Sequence, residues 1–168
     1  TDASTEGENV HTRAGGADLV VALDQMQAAL PSLSSVSLVV SWFGDDLGAA
    51  TCKIEPRVET ASKSTTPLTW SVAGLSRAHA RRVSQRDGRP AYGGTPSDET
   101  VVAAIQELKN RGLSVTLTPF MLMDVPDGNA LASPYGGASQ PAYPWRGRIT
   151  VAPAAGQPGS PDKTAAAA

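Results

Sequence analysis

The chain has 168 residues, of which 40% are hydrophobic, and its 14 basic and 16 acidic residues give a net charge of −2. This length permits one folded core, but a complete eight-stranded α/β barrel needs roughly 250 residues. The charges are spread along the chain without long blocks, which argues against a nucleic-acid partner, and no apolar run is long enough to span a membrane.

The first predicted element is a helix that begins at Asp18, whose side chain is expected to cap its first turn. Four apolar side chains recur at helical spacing on one side of it: Leu19, Leu23, Met26 and Leu30. Pro31 is expected to end this helix. Residues 1–17 are polar and rich in glycine, so we predict that they form a separate N-terminal segment.

A strand is predicted at residues 36–43, because this run is apolar on both of its faces and therefore suits a parallel sheet that is covered on both sides. The strand is followed directly by Gly44, Asp45 and Asp46. The pattern of residues 47–92 is weak. Residues 68–73 and 89–92 are candidates for short strands, and residues 77–84 fit either a helical turn or an edge strand.

A second helix is predicted from residue 98, with Thr95 or Ser97 as its cap and Gly112 as the left-handed residue that ends it. Its apolar stripe consists of Val101, Val102, Ala104, Ile105 and Leu108. Glu107 and Arg111 have the spacing of a surface ion pair. A second apolar strand follows at 113–120, and Asp124 lies just after it.

Helix and strand thus alternate, and each predicted strand leads to a carboxylate. We therefore predict an α/β fold, the N-terminal part of a TIM-barrel-like (β/α) domain that occupies residues 18–151 and is incomplete in this chain. Residues 152–168 are rich in alanine, proline and glycine, and we interpret them as a tail that contains the truncated start of a further helix.

Ligands of such barrels bind at the carboxyl ends of the strands, and this places Asp45 or Asp46 near Asp124. Glycosidases need two carboxyl groups on either side of the scissile bond, so these residues are the candidate catalytic groups. The alternative, which is favoured, is that Asp45 and Asp46 form a turn and that Asp124 caps the next loop.

Metal and cofactor sites are not indicated. The two histidines, His11 and His79, are not grouped with other metal ligands, and Cys52 is best interpreted as a small, partly buried apolar residue. We expect neither a metal nor a cofactor. The charged side chains of Arg77, Arg81, Arg82 and Arg86 are expected to form a solvated face.

Residues 125–143 are rich in proline and glycine and follow a strand end, so they form a candidate binding loop. Aromatic rings can stack on sugars while charged groups bind the hydroxyls. The candidate ligand-binding residues are Tyr92, Tyr135, Trp145 and Arg146. Tyr143, like Tyr135 and Trp145, supports the interpretation as a binding loop. The alternative, held about equally, is a surface Ω-loop whose aromatic side chains serve only packing.

Four stretches carry a family resemblance: Leu38–Leu47 (LVVSWFGDDL), Trp70–Gly74 (WSVAG), Arg89–Asp98 (RPAYGGTPSD) and Pro144–Thr150 (PWRGRIT). Together they resemble the barrel-like domain of the hub, or host-specificity, proteins of gene transfer agents and phage tails. The resemblance extends over essentially the whole chain. In that family the domain is similar to glycoside hydrolases of the TIM-barrel type and is longer than this chain.

The resemblance implies a fragment of a virion protein of the tail tip or baseplate, made in the bacterial cytoplasm. Its implied partners are other virion tail proteins and a glycan of the host cell envelope, and its implied role is structural or glycan-contacting. The alternative is an active glycoside hydrolase module that acts on envelope polysaccharide or peptidoglycan. A third interpretation is a gene fragment without activity. In the related barrels the acid and the nucleophile lie on later strands, so a complete active site is not expected here.

Overall fold

The computed structural model describes residues 9–144 and 148–161. These residues form two helices, α1 (Asp18–Ala29) and α2 (Asp98–Asn110), and two ten-residue strands, β1 (Ser35–Gly44) and β9 (Ser114–Met123). Seven two-residue strands lie between β1 and α2: β2 (Ile54–Glu55), β3 (Arg57–Val58), β4 (Ser71–Val72), β5 (Leu75–Ser76), β6 (Arg81–Arg82), β7 (Gln85–Arg86) and β8 (Arg89–Pro90).

The largest sheet has three strands in the order β2-β1-β9, with β2 antiparallel to β1. Ser114 donates its backbone N–H to the carbonyl of Ser34, and Asp124 donates to the carbonyl of Gly44. In both bonds the donor follows its acceptor by the same number of residues. Such a constant separation is what two parallel strands show, since their residue numbers increase in the same direction. The two long strands that the sequence predicts therefore lie side by side and point in the same direction.

The prediction of a TIM-barrel-like domain is wrong. In the described part of the chain, only three strands share a sheet, and the remaining strands pair two by two: β3 with β6, β4 with β5, and β7 with β8. The long strands are also not covered on both faces, since exposure alternates along the first half of β1. Val39 and Leu117 are 53% and 49% exposed, whereas the parallel strands of a barrel are buried on both sides.

Contacts divide the described residues into two compact units, and the first comprises residues 9–38 and 103–116. Its core is formed by buried Leu23, Leu108 and Leu113. The predicted apolar stripes are confirmed at Leu23 and Leu108 but not at Leu19 and Val102, which are exposed. The predicted domain boundaries after residues 17 and 151 stay predictions.

The helix caps predicted from the sequence are confirmed only in part. Asp18 does not cap α1, because it is the first helical residue and its carboxylate accepts bonds from the backbone N–H and the ring of His11. Ser97 is the cap of α2, where its hydroxyl accepts the N–H of Thr100. Gly112 has a φ of +77° after the helix, as predicted.

The second unit comprises residues 39–102, 117–144 and 148–161 of the described chain and holds two apolar clusters. One is formed by buried Val58, Trp70, Val72 and Ala80. The other is formed by buried Phe43, Val83 and Leu122. Each of the three stretches with a weak sequence pattern, 68–73, 77–84 and 89–92, contains a short strand, at residues 71–72, 81–82 and 89–90. The first and the last of these strands belong to the hairpins β4–β5 and β7–β8.

Candidate functional site in the second unit

Asp124, at the end of β9, is a completely buried ion-pair partner. Its Oδ2 atom accepts a 2.6 Å hydrogen bond from Arg57 Nη1 and a 2.9 Å bond from the N–H of Ser84. Asp124 is 0% exposed and Arg57 is 1% exposed. The two bonds of Asp124 therefore lead to strand β3, through Arg57, and to the short connection between β6 and β7, through Ser84, and not to the loop that follows β9.

The buried ion pair is the first of a series of ion pairs that extends towards the protein surface. Glu55 accepts from Arg57 Nε at 3.1 Å and from Arg81 Nη1 at 3.4 Å. Arg81 also donates to Asp45 Oδ2 at 3.2 Å. Asp45 and Asp124, which follow neighbouring strands as predicted, are thus connected through two arginines and a glutamate.

This arrangement does not resemble the pair of carboxyl groups that a glycosidase requires. Such carboxyl groups must both reach the substrate, and one of them must hold a proton. Asp124 is closed off from solvent, and its Oδ2 atom is occupied by the guanidinium of Arg57 and the N–H of Ser84, so it cannot reach a substrate. A catalytic role for Asp45, Asp46 or Asp124 stays a prediction that this geometry does not favour.

Asp46 forms a turn, which is the alternative that the sequence favoured. Its Oδ1 atom accepts the N–H of Gly48 at 2.7 Å and the amide of Gln140 at 2.6 Å, and its Oδ2 atom accepts the hydroxyl of Thr51 at 2.6 Å. Burial acts to raise the pKa of Asp46, but the three hydrogen bonds outweigh it and hold the pKa below its usual value. The carboxylate is fully engaged within the protein.

Of the predicted aromatic ligands, Tyr92 and Tyr135 have different surroundings in the structure. Tyr92 packs edge-to-face on Phe43, with ring centres 5.8 Å apart, and its hydroxyl donates to the carbonyl of Met123, so it belongs to the core. Tyr135 is exposed, and its hydroxyl donates to the carbonyl of Arg148. Trp145 and Arg146 lie outside the described residues.

An open groove of about 660 Å³ lies between the β7–β8 hairpin and the loop that follows β9. We refer to it as the hairpin groove. Its lining residues are Gln85, Arg86 and Asp87 from the hairpin, and Pro126, Asp127, Ala142 and Tyr143 from the loop. The binding loop predicted at 125–143 therefore contributes to a groove, but through Tyr143 rather than through Tyr135.

Tyr143 is held in an unusual conformation. Its φ of +48° lies in the left-handed region, which costs a non-glycine residue about 1–3 kcal/mol. Two bonds fix it there: its N–H donates to the carbonyl of Val125 at 2.8 Å, and its hydroxyl donates to the carbonyl of Gln85 at 3.1 Å. The ring therefore ties the loop to the hairpin and forms part of the groove wall.

The loop itself is ordered by amide side chains that the sequence analysis missed. Gln140 is buried and binds Asp46, the N–H of Leu47 and the carbonyl of Ala132. Asn129 bonds to the backbone of Pro126, Leu131 and Gln140. The loop is thus packed by its own side chains, as the Ω-loop alternative supposed, and it also lines the groove.

No group of three or more His, Cys, Asp or Glu residues within 9–144 and 148–161 is placed to hold a metal ion. Cys52 is partly buried, in agreement with its interpretation as a small apolar residue. Neither helix of the described part is long and apolar enough to cross a membrane.

The described part of the chain thus consists of two helices and small sheets, and its second unit carries an open groove with polar and aromatic lining residues. Comparison with known proteins found neither a matching protein-family model nor a matching curated protein.

Proposed function

We propose that this chain is part of a hub or baseplate protein of a phage tail or gene transfer agent, where it acts as a structural module that contacts a glycan of the host envelope. The family resemblance of the four sequence stretches supports the assignment to a tail protein. The observation that carries the glycan contact is the hairpin groove, with Tyr143 in its wall.

The composition of the groove suits a sugar. A pyranose ring offers an apolar face and a rim of hydroxyl groups, and it is bound by an aromatic ring together with a few polar groups. The hairpin groove combines the ring of Tyr143 with the amide of Gln85, the guanidinium of Arg86 and the carboxylates of Asp87 and Asp127. Its openness suits a segment of a long polymer.

The proposed setting is the virion, at the tail tip or baseplate, with other tail proteins as neighbours. The alternative function is an active glycoside hydrolase that cleaves envelope polysaccharide or peptidoglycan. The surroundings of Asp124 favour the binding role, since its carboxylate is buried and paired with Arg57.

The proposal is tested with two substitutions of one residue. Tyr143→Asn removes the ring but keeps a residue that tolerates a positive φ, and Tyr143→Phe keeps the ring and removes only the hydroxyl. Binding of capsular polysaccharide and peptidoglycan fragments from bacterial envelopes is measured by calorimetry with the full chain. We expect Tyr143→Asn to weaken binding roughly five- to tenfold, as the loss of one stacking contact does. Tyr143→Phe keeps the ring but loses the bond to the carbonyl of Gln85, so we expect it to weaken binding less than Tyr143→Asn does.

Absence of binding by the unchanged chain, or equal binding by both variants and the unchanged chain, would contradict the proposal. New reducing ends in the same incubations would favour the hydrolase instead. In that case Asp45→Ala and Asp124→Ala decide whether these carboxylates take part, because unchanged turnover removes them from the mechanism.

A further inference from the structure

The β7–β8 hairpin places two arginines directly opposite each other. Arg86 is the cross-strand partner of Arg89, and both side chains are exposed. Side chains in such positions lie on the same face with their Cβ atoms about 5 Å apart, and like charges there repel. The hairpin therefore presents a concentrated positive charge at one edge of the hairpin groove.

In a second pair of cross-strand arginines, a carboxylate of the same chain offsets the repulsion. Arg57 and Arg81 are partners across β3 and β6, and Glu55 accepts hydrogen bonds from both. Within the described part of the chain, no carboxylate bridges Arg86 and Arg89 in this way. The nearest ion-pair contact is 3.9 Å from Arg86 to Asp87, whose side chain is 94% exposed.

We propose that Arg86 and Arg89 form a subsite for an anionic group, a carboxylate or a phosphate, on the glycan that occupies the hairpin groove. The planar guanidinium group suits both anions, since it binds two oxygens at once. This inference rests on the proposed function and adds the chemical class of the ligand: an acidic polysaccharide.

The charges of the groove itself fix where the anion binds. Asp87 and Asp127 line the groove, and their carboxylates repel an anion placed between them. Asp127 is in part engaged, because its Oδ1 atom accepts the N–H of Gly128 at 2.9 Å. The acidic substituent is therefore placed at the arginine pair, and the uncharged sugar ring is placed against Tyr143.

Three polymers test the inference: polygalacturonate carries carboxylates, dextran phosphate carries phosphates, and dextran is neutral. Affinity for the full chain is measured by calorimetry at low and at physiological salt. We expect at least one charged polymer to bind about five- to tenfold more tightly than dextran, as two exposed ion pairs provide, and this advantage to shrink at higher salt. The polymer with the larger advantage identifies the anion.

The double variant Arg86→Gln/Arg89→Gln should remove most of the advantage of the charged polymers over dextran, and the comparison is made as the ratio of the two affinities within the same variant, since Arg86 also lines the groove. The control Arg13→Gln/Lys109→Gln makes the same change in net charge at two exposed residues of the first unit that do not line the groove, and it should keep the advantage. Two results would overturn the anionic subsite and leave the glycan contact standing. In the first, charged and neutral polymers bind the unchanged chain equally well. In the second, both double variants lose the advantage of the charged polymers to the same extent. Failure of all three polymers to bind counts against the anionic subsite and the proposed function together.

Discussion

Arg57 donates a 2.6 Å hydrogen bond to Asp124, and the two side chains are almost completely removed from solvent. The pair joins the short strand β3 to the end of β9. A buried ion pair of this kind adds little net stability compared with apolar side chains, but the loss of one partner leaves the other as an uncompensated charge. The pair therefore acts as a constraint on how the second unit packs.

Replacement of the cation alone should be strongly destabilising. We expect Arg57→Met to lower the free energy of unfolding by about 3–5 kcal/mol, because Asp124 is left buried and unpaired. The double variant Arg57→Met/Asp124→Leu should recover most of this loss. Urea unfolding of the three proteins measures the effect, and a loss below about 1 kcal/mol in the single variant would contradict it.

The turn at Asp46 should make stability depend on pH in the acid range. The folded-state pKa of Asp46 lies below its usual value of 3.8, so its carboxylate stabilises the fold fully above pH 3.8. This contribution is lost as the pH falls through the folded-state pKa. Asp46→Asn should therefore be less stable than the unchanged chain at neutral pH by about 1–3 kcal/mol, and the difference should shrink towards about pH 2.5.

Denaturant unfolding at several pH values measures this difference. Asp87→Asn is the matched control, because it makes the same chemical change at a side chain that is 94% exposed at a hairpin tip. A difference between Asp46→Asn and the unchanged chain that stays constant from neutral pH to about pH 2.5 would count against the role given to this carboxylate.

The β4–β5 hairpin offers a stabilising substitution. Its central residues, Ala73 and Gly74, both have positive φ angles, +48° and +81°, as type I′ turns require. Alanine is poorly suited to this conformation, whereas Asn-Gly is the preferred pair. Ala73→Asn keeps the backbone N–H that donates to Asp98 and should raise the free energy of unfolding by about 0.5–1 kcal/mol.

The control for this substitution is Ala138→Asn, at an exposed position without a positive φ. Thermal unfolding of both variants gives the comparison. If Ala138→Asn raises the melting temperature as much as Ala73→Asn does, the gain does not come from the turn.

Local signals in the sequence were sufficient for the longer elements. Helical spacing and the cap at Ser97 located α2, and two apolar runs located β1 and β9, since these signals depend only on neighbours in the chain. The barrel was inferred from the way these elements follow each other. That step was wrong because an apolar run does not reveal whether both faces of a strand are covered, and Val39 and Leu117 are exposed.

The site was less predictable than the elements. The sequence placed Asp45 and Asp124 at neighbouring strand ends but could not show that Arg57, 67 positions before Asp124, is its buried partner. A carboxylate at the buried end of a strand requires a cation, and this rule could have prompted a search for one. Tyr143 was noted in the loop, but its position in the groove depends on a bond to Gln85, which no local pattern predicts.

The central claim is that the hairpin groove holds a glycan of the host envelope, and mapping the bound polymer on the protein tests it most directly. Amide chemical shifts of the isotope-labelled chain are followed during titration with envelope polysaccharide fragments. The account predicts saturable changes concentrated at Gln85, Arg86, Asp127 and Tyr143. Saturable changes centred elsewhere, for example at Tyr135, or no changes at all, would contradict it.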